Sequence, residues 1–377
     1  MSEPDVIGDD RGRGFITVVV LVVLALVAIL AVNSLRHKGS SGAAASPSSS
    51  AQHGVTPTPT PTADVTGPDV VLRVGDTIYE LVDNLLVQRD QLPAGATDVW
   101  ATTLATNSSD TSANSHVIHV FGLHAGVAFQ QDIGPTSSSL ADLGPADRVL
   151  QTQEYPVLVH DGDPVTVGAP GSRVPLPSGW QAGRFENLGY AGLIVKPADQ
   201  GGTVEIASWS PGGTPQPLTA SGRLLGVTDG GQAIWLDPSC PDGPRCALFF
   251  GDIGGVHPKD GFRAPGDARF TGPVALGSGG YLAATATRGA TSVLLLVEPW
   301  QGTVAIMPGS EGVVAHAGLF WVDGKHLVFV GGDDPLRPRL MLYDVDANVS
   351  RPFGQPLPDG VRLLTAFGST GGVSVLP

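Results

Sequence analysis

A unit of about 45 residues recurs along this 377-residue chain and constrains its fold more than any other feature. Each copy has a small turn containing Gly, then four or five mostly apolar residues, then a polar turn. The turn glycines of the clearest copies are 39, 49, 44 and 48 residues apart; they are Gly192, Gly231, Gly280, Gly324 and Gly372. No window between them sustains a 3.6-residue period, which excludes stacked helix pairs. Short strands at this spacing predict the blades of a β-propeller.

We expect an all-β propeller of seven blades over residues 68–377. If Gly75 and Gly372 mark the first and last units, seven intervals of about 42 residues separate them. The final run, Leu363–Pro377, is then expected to complete the blade that begins near residue 70, which hides sheet edges that invite aggregation. Six or eight blades remain open alternatives. The composition agrees, since 51 Gly and 32 Pro supply turns while 42% apolar residues supply a core.

An uncharged apolar segment, Gly14–Leu35, precedes the repeats. As a helix it is about 33 Å long, enough to cross a hydrocarbon core of about 30 Å. A cleaved signal peptide is the alternative, but Arg36, His37 and Lys38 follow where a cleavage site needs small residues. We therefore expect a single transmembrane helix at 14–35, with the lipid bilayer as its partner, after a cytoplasmic tail of residues 1–13.

Residues 36–67 form a Pro/Thr/Ser-rich linker with almost no large apolar side chains, which predicts disorder. Basic residues flank both ends of the apolar segment, so the positive-inside rule leaves the orientation nearly tied. The short tail, the linker and a cysteine pair favour a cytoplasmic N-terminus and an extracellular propeller. The opposite orientation stays an alternative.

The only cysteines, Cys240 and Cys246, stand in the segment SCPDGPRC. Its Pro and Gly residues force a turn that can bring the two sulfurs together. An exported pair predicts a disulfide. A zinc site needs two further ligands, and five intervening residues are not a usual zinc spacing. No metal site is expected here.

The formal charge of −14 lies entirely in residues 64–377, which have 31 acidic and 17 basic residues. Phosphate backbones require clustered Lys and Arg, and the sequence has no such cluster. Nucleic acid is therefore not expected as a partner.

Several polar groups have the chemistry of metal ligands, and the sequence favours structural roles for all of them. His116, His119 and His124 lie in a strand-like segment, where positions three apart face opposite ways. Asp333–Asp334 and Asp344/Asp346 are local acid pairs, and Asp344 and Asp346 are expected at a strand end and its following turn, where Asp accepts hydrogen bonds from backbone N–H groups. Calcium remains the alternative for these acids. No cofactor is expected.

The sequence identifies no catalytic residue. It has no G-x-S-x-G elbow, H-E-x-x-H, Walker A or dinucleotide motif. The segment Thr228–Trp235 resembles the Asp-box turn of sialidase-type propellers, but its spacing is one residue too long. Five tryptophans of the repeats suit either the core or sugar stacking, and the core is favoured; they are Trp180, Trp209, Trp235, Trp300 and Trp321.

One unit, Phe320–Gly354, resembles the blade motif of TolB-type, WD40-like propellers. It has an aromatic residue, a D-G-K turn, an apolar strand and an L-x-L-Y-D-x-D segment, and it departs from the family at Val322, where Pro is usual. The motif residues, for which the resemblance implies structural roles, are Asp323, Gly324, Lys325, Tyr343, Asp344 and Asp346. The resemblance is moderate over Gly192–Pro308 and weak before residue 160. The excess of Arg over Lys is typical of a GC-rich, actinobacterial-like genome.

The resemblance implies protein interaction. We therefore expect a surface-displayed, membrane-anchored propeller that binds a protein or an envelope glycan without catalysis, through loops at its faces. The alternative is an extracytoplasmic polysaccharide hydrolase or lyase with its site at the central channel. Paired carboxylates for such chemistry cannot be chosen from the sequence.

Overall fold

The computed structural model describes most of the repeat region. The described ranges are 67–104, 117–151, 156–166, 173–185, 192–197, 203–227, 232–243, 246–252, 261–332, 334 and 337–366. The expected tail, the apolar segment 14–35 and the linker up to residue 66 lie outside them. Within these ranges, no helix is long and apolar enough to span a bilayer.

The described elements are strands, apart from a short 3-10 helix at Ala315–Ala317. In chain order the strands are β1 (Val70–Val74), β2 (Thr77–Val82), β3 (Leu85–Gln91), β4 (Thr97–Leu104), β5 (Val117–His124), β6 (Val127–Ile133), β7 (Ser138–Pro145), β8 (Arg148–Leu150), β9 (Val157–His160), β10 (Asp163–Thr166), β11 (Gln181–Phe185), β12 (Gly192–Pro197), β13 (Val204–Trp209), β14 (Gln216–Val227), β15 (Gln232–Leu236), β16 (Leu248–Asp252), β17 (Ala268–Leu276), β18 (Leu282–Arg288), β19 (Thr291–Glu298), β20 (Thr303–Ile306), β21 (Leu319–Trp321), β22 (His326–Gly331), β23 (Arg339–Asp344), β24 (Val349–Phe353) and β25 (Arg362–Ala366).

Two-residue turns join many of these strands because the sequence supplies residues that tolerate a positive φ. Asp83 and Asn84 have φ angles of 51° and 65°, and Asp161 and Gly162 have 51° and 84°. Positive φ at both turn residues matches the right-handed twist of the flanking strands. The polar turns of the repeat are thus hairpin turns, and the apolar runs between them become antiparallel strands.

The strands form six sheets, which confirms an all-β propeller. Five sheets have the strand orders β25-β1-β2-β3, β4-β5-β6-β7, β10-β9-β8, β17-β18-β19-β20 and β21-β22-β23-β24. The sixth has six strands, from β11 to β16 in chain order.

The expectation of seven blades is wrong, because the long strand β14 joins two sequence repeats in one sheet. Residues 216–222 of β14 pair with β13, and residues 223–227 pair with β15. The strand continues from Gly222 to Arg223, so hydrogen bonding runs through all six strands. The described strands therefore form six blades.

The last described strand completes the first blade, as the sequence analysis expects. Strand β25 pairs antiparallel with β1, with Val70 opposite Ala366 and Arg73 opposite Arg362. This pairing closes the ring and covers the edge of β1 that would otherwise be open. The rest of the final run, residues 367–377, lies outside the described ranges.

Hydrophobic clusters between facing sheets make up the core. Trp321 and Leu319 of one blade pack with Leu294 and Ala275 of the preceding blade. A similar cluster, containing Trp235, Ile206 and Leu193, joins the two halves of the six-stranded sheet. The six-stranded sheet therefore contains two hydrophobic repeats, although hydrogen bonds connect all of its strands. For this reason, counting the repeats in the sequence gives more blades than there are sheets.

Contacts between sheets identify the strands nearest the axis. Strand β25 contacts β4, β4 contacts β8, and in the same way β14 contacts β17 and β17 contacts β21. Strand β11 starts its sheet and contacts β14. Because blades diverge outward from the axis of a propeller, strands that approach one another between blades are innermost. We call β4, β8, β11, β14, β17, β21 and β25 the inner strands; two of them, β11 and β14, belong to the six-stranded sheet.

Candidate binding site on the inner strands

β-Bulges recur on the inner strands. At a register shift, each of five inner strands has at least one residue more than the strand it pairs with. These strands are β4, β11, β14, β17 and β25. A bulge bends the strand and changes the direction of its side chains. Polar side chains beside these bulges bond to the next inner strand, and one of them has donors without a partner.

Asp98 lies at the bulge of β4 and connects β4 to β8. Its φ of 50° is in the left-handed region, where Asp is among the few non-Gly residues that occur with any frequency. Its Oδ2 accepts a hydrogen bond of 3.2 Å from the backbone N–H of Val149. The bulge thus places a carboxylate beside the neighbouring blade.

Arg148, the first residue of β8, connects β8 to β11. Its Nη1 donates a hydrogen bond of 3.5 Å to the carbonyl oxygen of Ala182. This distance is at the long limit for such a bond, so the contact stabilises the guanidinium weakly.

Arg184 on β11 is the most unusual polar residue of the site. The residue is only 4% exposed, and its Nε and Nη2 atoms are buried without a hydrogen-bond partner in the described structure. Burial, together with the charge of Arg148, lowers the pKa of Arg184 to about 10, against the opposing effect of Asp98. The side chain is still a cation at neutral pH. Buried charges are normally paired, so the two unused donors of this buried guanidinium are unmet hydrogen-bonding capacity that an acceptor would satisfy.

The bulge that precedes Arg184 depends on Gly183. Ala182 pairs with Ile194 and Arg184 pairs with Leu193, so Gly183 is the additional residue. A Cβ atom at Gly183 would lie 2.9 Å from the carbonyl oxygen of Leu193. Only glycine fits this position without a shift of the backbone, and the position of Arg184 follows from it.

A third arginine links the next pair of inner strands. Nη2 of Arg223 on β14 donates a 3.3 Å hydrogen bond to the carbonyl oxygen of Thr271, in the bulge of β17. Arg269 on β17 is exposed instead, and its Nη1 donates to the carbonyl oxygens of Gly266 and Ala268 beside it. Its charge is satisfied locally.

The region around Arg184 is locally basic in a protein whose formal charge is −14. Of the described residues, one cation, Arg148, and one anion, Asp98, act on Arg184. With Arg184 itself, the group has one excess positive charge. A basic site between low-dielectric blades attracts anions more strongly than the same charges on an open surface.

Sequence reasoning did not find Asp98, Arg148 or Arg184. A weak signal existed, because β8, β11, β14 and β17 each contain an Arg followed by a large apolar residue. These arginines, Arg148, Arg184, Arg223 and Arg269, are separated by 36, 39 and 46 residues, close to the blade spacing. The spacing suggests inner-strand positions, but it does not reveal which arginine lacks a partner.

The blade-motif residues lie elsewhere, in the turns of the β21–β24 blade. The Asp323 carboxylate accepts hydrogen bonds from the backbone N–H groups of Lys325 (2.7 Å) and His326 (2.8 Å), and contacts Nδ1 of His326 at 2.8 Å. Burial favours the neutral form of Asp323, but hydrogen bonds from His326 and Lys325 outweigh it and lower the pKa of Asp323. This aspartate closes the turn between β21 and β22.

The other acids of the motif also stabilise turns. Asp346 pairs with Nζ of Lys325, and the Asp344 carboxylate accepts a 3.0 Å hydrogen bond from the backbone N–H of Ala347. The buried Tyr343 donates its hydroxyl proton to Asn348 Oδ1 at 2.9 Å. The structure places all of these groups at the turns and none of them beside Arg184.

Gly324 of the motif allows two blades to approach closely. A Cβ atom at Gly324 would lie 3.2 Å from the backbone of Gly279, in the turn between β17 and β18. A Cβ atom at Gly279 would lie 2.3 Å from the carbonyl oxygen of Gly324. The contact between these two turns requires a glycine at position 279, and a Cβ atom at Gly324 would make it tight.

Cys240 and Cys246 form the disulfide that the sequence predicts, with 4.5 Å between their Cα atoms. The bond closes the turn between β15 and β16. Cys246 packs in the cluster between the six-stranded sheet and the β17–β20 blade.

The histidines do not form a shared site within the described ranges. Nδ1 of His119 lies 2.7 Å from Oδ1 of Asp132 on the neighbouring strand, and His124 is exposed at the end of β5. His116 and Asp333 lie outside the described residues.

One group with metal-ligand chemistry, Asp147, His160 and Asp161, was not identified from the sequence. Its ligand atoms lie within 4.8 Å of one another. Oδ2 of Asp147 accepts a 2.6 Å hydrogen bond from the backbone N–H of Asp161, and Arg173 lies 3.5 Å from the Asp161 carboxylate. Arg173 also pairs with Asp163 at 2.7 Å. This turn thus already has one cation, Arg173, beside its acids.

The tryptophans divide between the core and the surface. Trp209, Trp235 and Trp321 are buried, as the favoured interpretation expects. Trp300 is 53% exposed and stands edge-on against Tyr281, with 4.9 Å between the ring centroids. This pair has the geometry of a small aromatic platform at the surface.

Comparisons with known proteins show similarity in fold only. No protein-family model matches the chain, and no curated protein matches it. The solved structure of TolB from Acinetobacter baumannii is similar over 79% of this chain and 66% of its own, at 14% identity and a TM-score of 0.41, so the match spans slightly less than two thirds of TolB. An oligogalacturonate lyase in complex with manganese is similar over 69% of this chain and 85% of its own, at 10% identity and a TM-score of 0.45. A prolyl endopeptidase structure is similar over 77% of this chain and 48% of its own, at 13% identity and a TM-score of 0.48.

Proposed function

We propose that this chain is a cell-envelope binding module, anchored by residues 14–35 and displayed outside the cell on the linker 36–67. Its propeller binds a protein or another envelope ligand and does not transform it chemically. The apolar segment and the exported type of cysteine pair support the location. Rigid blades with polar groups at their inner edges support the binding role.

The observation that carries this proposal is that two buried nitrogen atoms of Arg184, Nε and Nη2, have no hydrogen-bond partner in the described structure. Its unused donors belong to a group that remains charged at neutral pH, and an arginine in that state binds an acceptor but transfers no proton. Acid–base cleavage of a glycan requires instead a carboxyl group with a raised pKa.

The shifted carboxyl groups among the described residues point away from cleavage. Burial favours the neutral form of Asp90, but three hydrogen bonds to its carboxylate outweigh burial and lower its pKa. The pKa of Asp323 is lowered in the same way. Both groups are thereby made poorer general acids.

A polysaccharide hydrolase or lyase is the second candidate, and Trp300, exposed beside the partly buried Tyr281, favours it. Exposed aromatic rings stack on sugar faces. The platform explains glycan binding, and it therefore also suits a module that binds a glycan without cleaving it.

The deciding experiment measures retention and turnover on the same protein. The full-length chain, solubilised in detergent and immobilised through a C-terminal tag, is exposed to envelope proteins and envelope polysaccharides of its own cells. We expect saturable retention of one component and no increase in reducing or unsaturated sugar ends. Turnover that Trp300→Ala abolishes, without saturable retention of any component, would overturn the binding function in favour of the enzyme.

A further inference from the structure

We propose that Arg184, supported by Arg148, forms a binding site for a carboxylate at the inner strands β8 and β11, and that the carboxylate is the C-terminus of a peptide. This inference rests on the proposed binding function and names the chemistry of the ligand.

The unused atoms of Arg184 define the shape of the ligand group. Nε–H and one N–H of Nη2 lie along the same edge of a guanidinium and point in the same direction. Two parallel donors match the two oxygens of a carboxylate, which accepts both bonds at once. Both atoms are buried and unpartnered in the described structure, so the protein itself uses neither donor of this edge.

The charge of the site matches a monoanion. Among the described residues, Arg184 and Arg148 are cations and Asp98 is an anion, which leaves one net positive charge. A carboxylate has one negative charge and neutralises the group. A dianionic phosphate would leave a buried negative charge beside Asp98, which costs free energy at this depth.

A bound anion would also remove an instability of the free site. Burial and Arg148 together disfavour the charged form of Arg184, as its lowered pKa shows. An isolated buried charge is costly, whereas a paired and hydrogen-bonded one is tolerated. The bulge at Gly183 fixes the backbone that carries Arg184, so the position of the guanidinium does not depend on a ligand.

The depth of the site favours a chain end. Arg184 is 4% exposed, so only a narrow group can reach it. A C-terminal carboxylate extends from a single chain and enters end-on. A uronate within a polysaccharide has a sugar on both sides, which the blades would exclude.

The test uses the full-length chain in detergent and three probes. They are N-acetyl-triglycine with a free C-terminus, the same peptide with a C-terminal amide, and an oligouronate. Calorimetry measures affinity, and thermal unfolding measures stabilisation by ligand. We expect the free acid to bind and to raise the Tm, and the amide and the oligouronate to do neither, because only the free acid presents a terminal carboxylate.

Substitutions assign the binding to its residues. Arg184→Met should weaken binding of the free acid about tenfold or more, since a charge-assisted bidentate pair is lost. Arg184→Lys should retain part of the affinity, because Lys keeps the positive charge but lacks the two parallel N–H donors of the guanidinium. Arg269→Met, at an exposed arginine on an inner strand, is the matched control and should bind like the wild type.

Stability separates a ligand site from a structural role. Without ligand, Arg184→Met should have a Tm equal to or above that of the wild type, because an unpaired buried charge is removed. A large loss of Tm in this variant, equal binding of the amide and the free acid, or binding of the oligouronate alone would overturn the proposal. If Arg184→Met still retains the envelope component, the binding function stands and the carboxylate site fails.

Discussion

Val70 near the start of the described chain pairs with Ala366 at its end, so one blade is built from both ends of the domain. The cluster around this junction contains Val70, Ala366 and Phe353, which joins it to the preceding blade. Closure of the ring therefore depends on a strand pairing between residues almost 300 positions apart.

Removal of the closing strand should destabilise the whole propeller. A chain truncated after Gly360 loses β25 and leaves the edge of β1 unpaired, which favours association between molecules. We expect a lower Tm, loss of a single cooperative transition and aggregation in size-exclusion chromatography. A synthetic peptide of residues 361–377 should restore part of the Tm. Unfolding identical to that of the full chain would show that closure does not stabilise the ring.

Trp321 and Trp300 form a matched pair for testing core packing. The buried Trp321 donates a 3.0 Å hydrogen bond from Nε1 to the carbonyl oxygen of Ala275 in the preceding blade. Trp321→Phe should lower the free energy of unfolding by about 1–3 kcal/mol, because it leaves that acceptor unpaired and a gap in the cluster. Trp300→Phe, at the surface, should change it by less than about 0.5 kcal/mol. Urea unfolding measures both, and equal effects would contradict the assigned burial.

Asp323 should make the stability of the protein depend on pH in the acidic range. Because its pKa is lower in the folded state, its carboxylate stabilises the fold above the unfolded pKa. This contribution is lost as the pH falls through the folded value. Asp323→Asn should be less stable than the wild type at pH 7, and the difference should disappear at strongly acidic pH.

The control for this pH dependence is Asp267→Asn. The Asp267 carboxylate pairs with Arg288 at 3.3 Å, and both side chains are largely exposed, so the pair contributes little. Thermal unfolding between pH 7 and pH 2 measures both variants. A constant difference between Asp323→Asn and the wild type at every pH would show that the charge of Asp323 is not responsible.

Loss of the disulfide should cost about 2 kcal/mol of stability, because the closed loop is short. The bond joins Cys240 and Cys246, which are separated by 6 positions. Cys240→Ser combined with Cys246→Ser should lower the Tm by the same amount as adding reductant to the wild type. Reductant should not affect the double variant. Alkylation of both thiols in the unreduced wild type would contradict a stable bond.

The proposed topology predicts the outcome of protease treatment of intact cells. If residues 14–35 span the membrane with the propeller outside, cleavage in the linker 36–67 should release a fragment of about 64–377. Chains with the linker replaced by a sequence lacking protease sites should remain attached. Protection of the wild-type propeller in intact cells, with cleavage only after lysis, would reverse the orientation.

Much of the fold could be predicted because it follows from local chemistry. Gly280, at a repeat turn, adopts a φ of 79°, and the Pro- and Gly-rich turn between Cys240 and Cys246 brings the sulfurs together. The blade number could not be obtained in this way. It depends on whether β14 is interrupted between Gly222 and Arg223, and no residue there marks the answer.

The candidate site shows the same division. Arg148, Arg184, Arg223 and Arg269 occupy similar local sequences, each followed by an apolar residue. The structure gives Arg223 a carbonyl partner on the next strand and gives Arg269 carbonyl partners in its own loop, and it leaves two atoms of Arg184 without one. These differences arise from neighbouring blades, so residue type and spacing do not reveal them.

The recurring unit of about 45 residues determined by itself that this chain forms a propeller, because its turns and apolar runs permit only short antiparallel strands that must be stacked to be buried. Only the tertiary structure decided how many sheets result and which arginine is buried without a partner. Hydrogen bonding along β14 and the packing of β8 against its neighbours involve residues far apart in the chain. Their free energies depend on the arrangement of the whole ring, and no local pattern encodes them.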